Sequence, residues 1–105
     1  MTEAIQVVTT TGSPEDARKI AAELVERRLA ACVQVSGPVE SLYRWKGEVQ
    51  SDQEWLCTIK TSRDRYAGVE EAIRELHPYD EPEILALPIL QGSAGYLRWL
   101  CEQVT

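Results

Sequence analysis

One histidine stands in this 105-residue chain, inside a run dense in groups that bind cations: His77-Pro78-Tyr79-Asp80-Glu81-Pro82-Glu83. A neutral imidazole suits Cu²⁺ and Zn²⁺, and carboxylates close in sequence can complete a borderline site. His77, Asp80 and Glu83 are therefore candidate metal ligands. Cys32 is a fourth, because thiolate sulfur is the donor that soft cations prefer. The three cysteines, Cys32, Cys57 and Cys101, are odd in number and none is spaced C-x-x-C. A disulfide framework or a structural thiolate zinc site is not expected; reduced thiols in a cytoplasmic protein are. One histidine does not assemble a Ser-His-Asp triad, and no Gly-rich phosphate loop is present. No catalytic reaction is expected.

Each of these residues also has a structural reading. His77 can hydrogen-bond to a backbone carbonyl and cap the helix before it. Asp80, Glu81 and Glu83 can form a solvated acidic loop. Cys32 can be a small core residue. Tyr43 and Trp45 can hold subunits together rather than stack on a ligand.

The elements that must position these groups are legible from pattern. Residues 4–11 are rich in β-branched side chains and read as a strand. Ser13 and Pro14 open a helix over 14–28, with Ala17, Ile20, Ala21, Leu24 and Val25 on one face. Residues 30–35 and 39–45 are extended, with a bulge or bend at Gly37-Pro38 between them. Lys46-Gly47 reads as a hairpin turn, and 48–61 as the return strand. That register sets Cys32 near Lys60 and Thr61. Ser62 is a cap for a second helix carrying Tyr66, Val69, Ile73 and Leu76, which His77-Pro78 ends. Residues 84–90 form a strand, and Leu97, Leu100, Cys101 and Val104 mark a last short helix. The order β-α-β-β-α-β plus a C-terminal helix is an α+β, ferredoxin-like split βαβ sandwich, a single domain over 1–105 with a long hairpin between its second and third strands.

In that topology the first strand ends where the fourth begins, and the hairpin tip points to the same edge. Thr9, Thr10, His77, Tyr79, Asp80, Glu81 and Trp45 are candidates for one cluster. Cys32 opens the second strand at the opposite edge and cannot join His77 within one subunit. Residues 84–90 are apolar throughout, so both strand faces want burial. With the aromatic hairpin tip, this predicts a symmetric oligomer closed through sheet faces and hairpins.

Eleven Lys and Arg against seventeen Asp and Glu leave a net charge of −6. Such a chain has no basic footprint for nucleic acid and no attraction to an anionic membrane. Its apolar runs fall far short of the ~20 residues of a membrane span. Met1-Thr2-Glu3-Ala4 lacks the basic and apolar regions of a secretory leader, so none is expected.

Seven stretches, in this order, resemble the CutA family of divalent-cation tolerance proteins: Arg28-Leu29-Ala30-Ala31-Cys32-Val33, Tyr43-Arg44-Trp45-Lys46-Gly47, Ile59-Lys60-Thr61, His77-Pro78-Tyr79, Pro82-Glu83-Ile84, Leu87-Pro88-Ile89 and Tyr96-Leu97-Arg98-Trp99-Leu100. The resemblance covers nearly the whole chain. It implies a homotrimer, PII-like in architecture, linked to tolerance of copper and other divalent cations, with no established reaction. The family's copper positions, a Cys and two adjacent histidines, fall on Thr9, Leu76 and His77, of which only His77 is a good ligand.

Two functions follow. The first is a metal-response protein of the CutA type, binding Cu²⁺ or another divalent cation weakly and needing no cofactor. The second is a PII-like trimeric module that holds a small anion or a partner protein between subunits. Calorimetric titration with Cu²⁺ and Zn²⁺, beside a nucleotide panel, separates them.

Overall fold

In the computed structural model, β1 (Ala4–Thr11) alternates buried Ile5, Val7, Thr9 and Thr11 with half-buried neighbours, as a strand covered by helices on one face must. The structure describes residues 3–105. Met1 and Thr2, on which the leader expectation partly rests, lie outside the described residues. Ser13 accepts the Asp16 N–H at 3.1 Å and caps α1 (Pro14–Glu26). The helix stops two residues short of its predicted end. Arg28 adopts φ 59°, and the N–H groups of Arg28 and Leu29 turn back to the carbonyls of Val25 and Leu24. That pair of bonds is a Schellman closure, with an arginine where glycine is usual.

β2 (Cys32–Trp45) and β3 (Glu48–Ser62) form the long hairpin around Lys46-Gly47. Beyond β3, a 3₁₀ turn (Arg63–Arg65) intervenes before α2 (Tyr66–Leu76), so Ser62 makes no side-chain cap. β4 (Leu85–Pro88) and α3 (Ala94–Gln103) follow. The strands form one antiparallel sheet in the order β2-β3-β1-β4, the split βαβ arrangement. α1 and α2 cover one face, where Ile20, Leu24, Ile59, Val69 and Ile73 are fully buried. α3 lies against Ala4 at one end of the sheet and buries Leu100 and Cys101.

The bulge sits where the sequence places it. Gly37 and Pro38 stand opposite the single residue Trp55, and the register slips by one between Ser36 and Val39. A slip of one reverses the faces of a strand. Val33 and Val35 therefore join the helical core, while Tyr43 and Trp45, farther out, turn to the other face.

The fourth strand departs from expectation in a single chain. It spans four residues rather than seven, and all four are exposed. β4 is an edge strand paired only with β1, and Leu85 and Leu87 project with Val8 and Gln6 on the face away from α1 and α2. Leu85 is 57% exposed and Leu87 46%. Among the described residues no helix is long and apolar enough to cross a membrane.

Candidate functional site

His77 is the C-cap of α2, and its N–H closes the last turn onto the Ile73 carbonyl at 2.8 Å. The following proline forbids another helical turn, so the side chain is carried to the end of β1. β4 pairs with β1 only as far as Val8. Past that point the imidazole serves as β1's neighbour: Nε2 lies 2.7 Å from the Thr10 carbonyl oxygen. The Tyr79 N–H donates to Nδ1 at 3.1 Å, and the two rings stack tilted with centroids 4.7 Å apart.

Tyr79 carries the connection onward. Its hydroxyl donates to Glu54 Oε2 of β3 at 3.1 Å. Burial, then that carboxylate, pushes the phenol up to about 12. On the same hairpin the Tyr43 hydroxyl donates to Asp52, and that bond raises its phenol as well. Together the hairpin and the 79–83 loop bound an open cleft of about 780 Å³, lined by Thr10, Glu40, Tyr43, Trp45, Glu54 and Tyr79 with Asp80, Glu81 and Glu83. Glu81 pairs with Arg74 at 3.4 Å, in solvent. Asp80 and Glu83 are exposed on the cleft wall.

The expected cluster at the β1 end forms in part: Thr10, His77, Tyr79, Asp80 and Glu81 lie around this cleft or its support, while Trp45 lines the cleft from the hairpin tip, opposite Glu48 and eight residues of β3 from Leu56, the partner of Thr10. Thr9 does not face it; on the helical side its side chain is fully buried. Cys32 stands apart. It is half-buried and opposite Lys60, which in turn faces Gln6, four residues along β1 from Thr10. Four residues of strand are ~13 Å, and two strand spacings add ~10 Å. Among the described residues, no group of three or more His, Cys, Asp or Glu is placed to hold a metal ion.

Pattern reading missed the two tyrosine–carboxylate pairs. The hairpin register held the signal for one: Tyr43 faces Gln50, and Asp52 is its diagonal neighbour on the same face. Glu54 with Tyr79 joins residues 25 apart through a loop whose course periodicity does not set.

The family model for the CutA1 divalent ion tolerance protein matches residues 5–103. The chain belongs to the CutA family. The divalent-cation tolerance protein CutA of Thermus thermophilus is 50% identical over 96 residues, which are 91% of this chain and 93% of that one. The chloroplastic CutA of Arabidopsis thaliana is 44% identical over 91% of this chain but 53% of its own, so the chain spans about half the length of that relative. The solved Thermus thermophilus CutA1 superposes with a TM-score of 0.95 at 47% identity, covering 97% of this chain and 99% of that one. CutA proteins are therefore the frame in which the cleft and its histidine are understood.

Proposed function

We propose that this CutA protein acts in divalent-cation tolerance as a homotrimer, meeting cations weakly and reversibly through exposed carboxylates rather than in a closed site. Family membership carries the reading. The charge of −6 and the position of Asp80 and Glu83 on an open cleft support weak cation attraction. The uncovered sheet face, with Leu85 and Leu87 on the edge strand, supports assembly. About half of each such leucine is still exposed, so covering it is worth about 1 kcal/mol apiece, which three copies facing inward would collect several times over. The proposed role is binding without turnover, and the proposed place is the cytoplasm, where a set of three cysteines, odd in number, stays reduced; the plant relative is named chloroplastic.

The test is growth in graded Cu²⁺ and Zn²⁺ of a cell lacking its CutA gene, with and without this chain, beside calorimetric titration of the purified protein. Restored tolerance with weak, salt-sensitive binding is expected. Unrestored growth together with tight nucleotide binding would replace this reading with the PII-like one.

A further inference from the structure

The family resemblance puts a soft-cation site on Thr9, Leu76 and His77, and the residues present do not fit one. Thr9 is a fully buried hydroxyl with no hydrogen-bond partner among the described residues, and Leu76 has no donor atom. That leaves the imidazole. A ring ligates through a nitrogen lone pair, and a neutral ring has one. The Thr10 carbonyl can only accept, so the Nε2 facing it at 2.7 Å carries the proton. The lone pair is then on Nδ1, where the Tyr79 N–H already donates at 3.1 Å. His77 as a whole is 7% exposed. Coordination at either nitrogen breaks one of these bonds and strands a backbone group at a largely buried position.

We infer that His77 is a latch and not a metal ligand. Nε2–H ties the end of α2 to the end of β1. Nδ1 holds the N–H two residues ahead, as an Asx side chain does in its turn, and so fixes the start of the 77–84 loop. Tyr79, held there, reaches Glu54. Three hydrogen bonds in series thus join β1, the loop and β3, and set the loop's carboxylates against the hairpin. The inference stands on this geometry whether or not the loop binds cations.

The deciding measurement is the ¹⁵N spectrum of the full chain labelled at histidine, first metal-free and then with excess Zn²⁺. The expected result is a protonated Nε2 and a bare Nδ1, neither moved by Zn²⁺. A protonated Nδ1, or a large Zn²⁺-induced shift of either ring nitrogen, overturns the inference. Two variants add an independent reading. The amide oxygen of His77→Asn can still accept the Tyr79 N–H but does not reach Thr10, whereas His77→Ala does neither. Tm should fall in the order parent, Asn, Ala, while the folded Asn variant keeps the parent's Zn²⁺ affinity. Loss of Zn²⁺ binding in that folded variant overturns the inference. If a variant fails to fold, the parent's spectrum decides alone. A parent that binds no Zn²⁺ at all counts against the proposed function instead, and the metal-free tautomer still decides the role of His77.

Discussion

Tyr79 owes its position to His77, and its raised phenol to burial first and to Glu54 second. A phenol donating to a carboxylate stays neutral more readily, because ionising it would set two negative charges side by side. Its folded value near 12 lies above the ordinary value of 10. The folded chain therefore keeps a proton that the unfolded chain releases, and stability from this group is fully present below pH 10 and lost as pH rises toward 12. Denaturant midpoints measured across pH 9–12 should fall more steeply for the parent than for Tyr79→Phe. Parallel curves would show that the phenol does not couple to folding. The thiols make a second test at this scale. Cys57 is fully buried and burial pushes its thiol up to about 11, whereas Cys32 is half-buried at the start of β2. The thiolate is the reactive form. Mass spectrometry after brief alkylation should find Cys32 modified well before Cys57; equal labelling would mean that the helical face of the sheet opens freely.

Within the hairpin, two glycines separate backbone need from packing need. Gly37 has φ 151°, and a Cβ there would lie 2.7 Å from Trp55 Cδ1 and 3.0 Å from the Glu54 carbonyl. Gly47, at φ 82°, has nothing within 4 Å of such a Cβ. Gly37→Ala should destabilise by about 2–4 kcal/mol, since overpacking adds to backbone strain, and Gly47→Ala by about 1 kcal/mol from strain alone. Urea denaturation of the two variants checks the contrast. The bulge matters because it reverses the face of the outer hairpin. Without it, Tyr43 and Trp45 would turn to the other side, and the cleft would lose part of its wall.

For the whole molecule, the decisive feature is a sheet with one covered face. α3 shields one end of the other face, through Ala4 and Leu100, and leaves Leu85 and Leu87 exposed on the edge strand, while Trp45, 60% exposed, stands at the hairpin tip toward the opposite end of β3. Sedimentation should give three times the 11.8 kDa chain mass. Leu87→Asp, which sets a charge in the proposed contact without touching the core of one chain, should give a folded monomer with unchanged far-ultraviolet dichroism. A parent that sediments as 11.8 kDa would end the trimer proposal.

The split βαβ order, the bulge at Gly37-Pro38 and the helical core were legible in the sequence, because each rests on local periodicity or on residues with one backbone use. Helix ends were less so: Arg28 turns the chain out of α1 without the glycine that usually signals it. The composition of 84–90 showed an apolar strand but not that it lies uncovered at an edge, since burial depends on which neighbours arrive. Residue types singled out His77, Asp80, Glu83 and Cys32 together. Register separated Cys32 from the others by several residues of strand, and only the tertiary fold could show that the backbone already holds both nitrogens of His77. A ligand needs a free lone pair, and whether one is free depends on contacts between Thr10 and His77, 67 residues apart.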